Sequence, residues 1–272
     1  MPFLPTNEIT TAYEVHGTGR TIVFVHGALV DRHMWQPQVE ALAARYRVIT
    51  YDLRGHGATG PSTAPRYTCD LLARDLRALV TVLDLEPFVV CGLSLGGMVA
   101  QAYAAAYPDD LEALVLCGTA ASSMLTWGDW LHTATVGWSV APAVRALGAA
   151  AFADLTLAAT PFYRGPGWLG RDPAVRAYVA AQMRSCDTEE MAKIYDAVVR
   201  FGGVDLQRVT APAHILNGEF ETAALAVHQR HLLATLPNAP QATVPGAGHL
   251  CNLENPAAFN HTLTTFLEGA LR

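Results

Sequence analysis

Phe88-Val89-Val90-Cys91-Gly92-Leu93-Ser94-Leu95-Gly96-Gly97 is the stretch on which the reading of this chain turns. Residues 88–92 are apolar and rich in β-branched side chains, as expected of a buried strand. Residues 96–107 are rich in alanine and read as a helix. Between them stands the Gly-x-Ser-x-Gly spacing of a nucleophile elbow, in the strand–turn–helix setting that such an elbow requires. The sharp turn holds the serine in strained backbone geometry and exposes its hydroxyl. Side chains at the flanking positions would clash, which accounts for glycine there. The helix start adds unpaired N–H groups and a positive dipole end.

A serine hydroxyl needs a base to become a nucleophile. Of the ten histidines, His249 stands in the loop Pro245-Gly246-Ala247-Gly248-His249, between the last strand pattern and the final helix pattern. Glycines there let the backbone turn an imidazole over the sheet edge. The others have blander readings: His214 lies within a strand, His228, His231 and His261 on helical surfaces, and His16 and His33 at element ends. His26 and His56 hold loops in place, and His132 falls in a region that could touch substrate.

Acyl chemistry also needs donors for an oxyanion. The N–H of Leu95 is one. The second is expected from the loop opening His26-Gly27-Ala28-Leu29, with Ala28 preferred and Leu29 the alternative. The orienting carboxylate should lie near a strand end between Ser94 and His249. The run Asn217-Gly218-Glu219-Phe220-Glu221 offers two candidates, Glu219 and Glu221. Residues two apart on an extended segment share a face, so alternation does not separate them.

Working outward, strand patterns recur at residues 21–26, 46–51, 114–117, 213–216 and 242–244. Helix patterns fall at 34–44, 67–83, 223–236 and 256–271, the last with Asn255 placed as N-cap and Pro256 at the first helical position. Residues 9–15 alternate apolar and polar and read as an edge strand. Strands alternating with helices predict an α/β fold with a mostly parallel sheet flanked by helices. Residues 121–200 break the rhythm with helical patterns only. The expected organisation is therefore a core of residues 1–120 and 201–272 with a helical cap inserted at 121–200. Trp127, Trp130, Trp138 and Phe162 in that insert, together with Leu29, are the candidate substrate contacts.

Composition narrows the partners. Apolar residues make up 51% of the 272 and charged residues 15%, which suits a large core and excludes a disordered chain. A net charge of −6 with no basic run gives no reason to expect nucleic acid or an anionic membrane surface. The five cysteines are scattered and free of any C-x-x-C spacing, so neither a disulfide framework nor a zinc site is expected. The opening MPFLPTNEIT lacks the marks of a signal peptide, and the most apolar stretch is broken by Pro142, Arg145 and Asp154. The expectation is a cytoplasmic protein acting on a small molecule.

Taken in order, Val25-His26-Gly27, the DLRGHG of residues 52–57, the GLSLGG of 92–97, the GEFE of 218–221 and the GAGH of 246–249 with the downstream ENP resemble the α/β-hydrolase family. The resemblance runs along nearly the whole chain, and the order of nucleophile, acid and histidine is the family's own. Within the family the chain is most similar to 3-oxoadipate enol-lactonase-like esterases and lactonases, and to related C–C bond hydrolases. The resemblance implies a triad of Ser94, Glu221 and His249, since the acid of that family is the last residue of G-E-x-D, here a glutamate. It also implies hydrolysis of an ester or lactone with no metal or other cofactor. The apolar, aromatic insert, with no Arg or Lys between Ala146 and Tyr163, adds the expectation of a small to medium, largely hydrophobic, uncharged substrate. A serine in place of an aspartate disfavours the dehalogenase and epoxide hydrolase chemistries of this fold. The rival expectations are C–C bond hydrolysis, perhydrolysis or a lyase-type reaction on the same triad, and a ligand receptor that turns over slowly.

Overall fold

The computed structural model describes residues 2–85, 87–169, 171–236 and 238–271. Eight strands form one sheet in the order β1-β2-β4-β3-β5-β6-β7-β8. They are β1 (Phe3–Thr6), β2 (Ile9–His16), β3 (Thr21–Val25), β4 (Arg47–Tyr51), β5 (Phe88–Leu93), β6 (Leu111–Cys117), β7 (Ala213–Gly218) and β8 (Gln241–Val244). From β4 to β8 every pairing is parallel, and β2 runs antiparallel to both β1 and β4. The edge is therefore β1, and the 9–15 segment expected there is the second strand. Its neighbour escaped the sequence reading because Pro5 argues against a paired strand. At an edge the missing proline N–H costs nothing.

β3 and β5 are buried along their whole length, which is why they read as unbroken apolar runs. Each fully buried Val, Ile, Leu or Phe there contributes about 1.5–3 kcal/mol. The core helices are α1 (Gln36–Leu42), α2 (Cys69–Leu83) and α3 (Leu95–Ala106), then α9 (Ala223–Thr235), α10 (Cys251–Glu254) and α11 (Pro256–Ala270). The segment expected as one helix over 34–44 is split, because Arg32–Trp35 forms a 3₁₀ turn and Pro37 sits in the first turn of α1. Asn255 caps α11 by accepting the Ala258 N–H, with Pro256 at its start.

Between β6 and β7 run α4 (Trp127–His132), a π turn over Thr133–Gly137, α5 (Trp138–Leu147), α6 (Ala149–Tyr163), α7 (Pro173–Ser185) and α8 (Thr188–Val199). α5 packs on α8, and α6 on α7. Among the described residues, no helix is long and apolar enough to cross a membrane. The parallel strands bring the loops after β3, β5, β6, β7 and β8 to one edge of the sheet, where open α/β sheets bind their ligands.

Candidate active site

Ser94 closes β5 with φ 57° and ψ −117°, a conformation that costs an L-residue about 1–3 kcal/mol. The surroundings hold it there. Its N–H donates to the Cys117 carbonyl at 2.9 Å, and its own carbonyl accepts Gly97 N–H, Met98 N–H and the Thr119 hydroxyl. The flanking glycines are obligatory: a Cβ at Gly92 would lie 2.2 Å from the Gly96 oxygen, and one at Gly96 would lie 2.1 Å from that of Val25. This close packing fixes the strand-to-helix turn and leaves the serine on the wall of a cavity of about 280 Å³.

His249 and Glu221 line the same cavity. Glu221 Oε1 lies 2.5 Å from His249 Nδ1. A carboxylate can only accept, so Nδ1 carries the proton and Nε2 is left as the basic nitrogen. Burial works to raise the Glu221 pKa. The facing charge and hydrogen bond of His249, with donors from Trp168 and Thr222, outweigh it and hold the group below the usual carboxylate range. Glu219 is exposed and turned away, accepting the Gly246 N–H at 2.7 Å. Of the two candidate acids, only Glu221 meets the imidazole.

The loop after β3 is held by two buried histidines. His26 donates through Nδ1 to the Gly27 carbonyl at 2.7 Å and accepts Leu53 N–H at Nε2 at 2.9 Å. His56 donates to the Arg54 carbonyl and accepts the Leu29 N–H at 3.1 Å. Each therefore needs a neutral ring. Burial pushes their pKa values down to about 4 for His26 and about 3 for His56. Leu29, at φ 59°, donates its N–H to His56. Ala28 and Leu29 both line the cavity, and Leu95 is buried at the start of α3.

The insertion supplies much of the remaining wall: Thr156, Leu157, Thr160, Val179, Met183 and Tyr195. Of the five residues expected to touch substrate, only Leu29 lines the cavity. Trp127, Trp130, Trp138 and Phe162 do not, which corrects that expectation. Helical period explains Phe162: residues 156, 157, 160 and 163 share one face of α6, and Phe162 falls on the other, 91% exposed. Trp127, 74% exposed, stacks on Trp130 at 4.7 Å, and Trp138 receives the Arg200 guanidinium at 4.3 Å. His228, expected on a surface, is buried beside Asp129.

The sequence reading gave no role to Trp168, which touches both Glu221 and His249. A tryptophan beside the Arg164-Gly165-Pro166-Gly167 turn, in a loop between helices, was the available signal. Arg164 also lines the cavity, with its guanidinium 5.2 Å from the Trp168 ring centre. Arg145 is paired with Glu189, and Arg171 lies over Phe220.

Residues 22–262 match the model of the alpha/beta hydrolase family. The chain belongs to that family. It is 26% identical over 248 residues to 3-oxoadipate enol-lactonase 2 of Acinetobacter baylyi, covering 91% of this chain and 88% of that protein. A thermophilic esterase from Thermogutta terrifontis superposes with a TM-score of 0.85 at 26% identity, covering 99% of both chains. The enol-lactonase from Burkholderia xenovorans superposes with a TM-score of 0.80 at 30% identity, over 98% of this chain and all of that one (100%).

Proposed function

We propose that this protein is a serine hydrolase that cleaves a small to medium, largely apolar carboxylic ester or lactone through an acyl-enzyme on Ser94. The observation that carries this reading is the 2.5 Å pairing of His249 with Glu221 on the wall of the cavity that holds the strained Ser94. The names of the similar lactonase and esterases point the same way.

In this reading His249 Nε2 takes the Ser94 proton as the oxygen attacks the carbonyl. The N–H groups of Leu95 and Ala28 hold the oxyanion, since that of Leu29 is spent on His56. His249 returns the proton to the departing alkoxide, then draws one from the water that releases the acid. Glu221 keeps the ring in the required tautomer and stabilises its charged form. No step calls for a cofactor. The substrate is uncharged, because the cavity walls are chiefly apolar and Arg164, which also lines them, already lies over the Tyr163 and Trp168 rings.

The test is multiple-turnover assay on p-nitrophenyl esters of short and medium acids, simple lactones and vinylogous diketones. The expected result is steady turnover of the esters or lactones, preceded on the nitrophenyl esters by a burst of nitrophenol where deacylation is the slower step. Turnover of the diketones alone would move the chain to C–C bond hydrolysis, and a burst without turnover would make it a receptor. A preference for half-esters of dicarboxylic acids, lost in Arg164→Gln, would overturn the uncharged-substrate reading.

A further inference from the structure

Trp168 belongs to the segment inserted between β6 and β7, yet three of its groups are committed to residues far beyond it in sequence. Its carbonyl accepts the His249 N–H at 2.7 Å. Its indole N–H donates to Glu221 Oε2 at 2.9 Å, the oxygen that does not face the imidazole. Its ring stacks on His249, with centres 4.4 Å apart and planes 21° apart. The fit is close enough that a Cβ on Gly248 would lie 2.2 Å from the Gly167 oxygen and 2.5 Å from that of Trp168.

From these contacts we infer that Trp168 is a positioning residue of the triad, so that the insertion completes the catalytic geometry as well as covering it. This inference rests on the acyl-transfer reading above. A carboxylate held at one oxygen can rotate about its last bond. Donors at both oxygens fix its plane, and Trp168 supplies the stronger hold on the second, the Thr222 N–H lying 3.3 Å away. The stacked indole fixes the plane of the imidazole in turn. It also presents an electron-rich face to the imidazolium that forms during acylation, a favourable cation–π arrangement. An ångström of misplacement in such a constellation can cost on the order of a hundredfold in rate.

The probe is diethyl p-nitrophenyl phosphate, a small neutral reagent that phosphorylates a base-activated serine and releases one equivalent of nitrophenol. Its rate reports on Ser94 and His249 with little dependence on how a substrate fills the cavity. Wild type, Trp168→Phe, Trp168→Leu and Ser94→Ala are compared, with thermal unfolding as the check on folding. Trp168→Phe keeps the stacked ring and the carbonyl but loses the donor, and is expected to label about tenfold more slowly, within the range for a lost positioning contact. Trp168→Leu loses the ring as well. It is expected to label about a hundredfold more slowly. On an ester substrate the loss should fall in kcat more than in KM. Labelling at the wild-type rate in Trp168→Phe and in every folded Trp168→Leu sample, with only KM raised, would make Trp168 a wall of the cavity and overturn the inference. If Trp168→Leu does not fold, Trp168→Phe decides alone. Failure of wild type to label, or equal labelling of Ser94→Ala, would instead remove the serine-hydrolase reading itself, and this inference with it.

Discussion

The Tyr178 hydroxyl donates to Asp31 Oδ1 at 2.7 Å and so ties α7 of the insertion to the loop that follows β3. Gln182, one turn on, donates to the other oxygen at 3.0 Å, and Asp31 also caps the 3₁₀ turn by accepting His33 N–H at 3.0 Å. Burial would raise the Asp31 pKa, but hydrogen bonds from Tyr178 and His33 outweigh it and hold it low. Asp31 lies two residues beyond Leu29, so this tie bears on the backbone that carries the proposed oxyanion donor. Tyr178→Phe should lower stability by about 1.5–3 kcal/mol, the range for a hydrogen bond to a charged group. Turnover should fall as well. Thermal unfolding and ester hydrolysis measured on one preparation check both, and a drop in turnover without loss of stability would contradict the account.

The backbone at Ser94 separates folding from chemistry. Ser94→Ala should fold normally and lose several orders of magnitude in turnover, leaving only what binding and the oxyanion donors provide. Ser94→Gly should be equally inactive, yet its φ of 57° would no longer be strained. It should unfold at a temperature equal to or above that of Ser94→Ala. A clearly lower unfolding temperature for the glycine variant would show that the elbow stores no strain.

The two glutamates after β7 should behave differently. Glu221→Gln removes the charge facing His249 and permits the wrong tautomer, a change that can cost about 10⁴ in turnover. Glu219→Gln keeps an oxygen to accept the Gly246 N–H, so its effect should stay within about threefold, a surface-sized change. Comparing kcat/KM for the pair ranks them, and the reverse order would transfer the role to Glu219.

Acid should open the loop after β3. His26 and His56 each accept an N–H at Nε2 and must be neutral to do so. Their folded pKa values lie below the unfolded 6.5, at about 4 and about 3. The unfolded chain therefore binds more protons, and stability falls as pH drops below 6.5. For His26 the loss by pH 4 is on the order of 3 kcal/mol. The unfolding temperature should decline steadily from pH 7 to pH 4, and a flat profile across that window would refute the neutral-histidine description.

Much of this was legible in the sequence, because the fold places strict demands on a few residues. The strand run before Ser94, its flanking glycines and the Gly-rich loop before His249 each answer a backbone requirement that few other sequences meet. The choice between Glu219 and Glu221 was not legible from spacing, since both leave the same strand end. Only the path of the loop after Gly218 sends one to His249 and the other to Gly246. The aromatic residues of the insertion misled because composition says nothing of helix rotation. Phe162 and Tyr163 are neighbours in sequence, yet only Tyr163 lines the cavity. Trp168 was hidden for a related reason: its partners lie 53 positions away at Glu221 and further still at His249.

The carbonyl-to-amide link from Trp168 to His249 bears on how this lineage could diversify. A segment inserted between two strands looks like an interchangeable part, to be swapped for another that suits a different molecule. Here the swap is constrained. A donor segment that brought new walls without an acceptor for the His249 N–H and a donor for Glu221 Oε2 would change what enters the cavity and disturb the machinery at once. The turn at residues 164–168 has to be inherited with the histidine loop it grips, and α4 with the buried His228 of α9 that faces its Asp129. In the acyl-transfer reading, the cavity-lining residues of α6 and α7, among them Thr156, Leu157, Thr160, Val179 and Met183, can change what is bound without touching that grip.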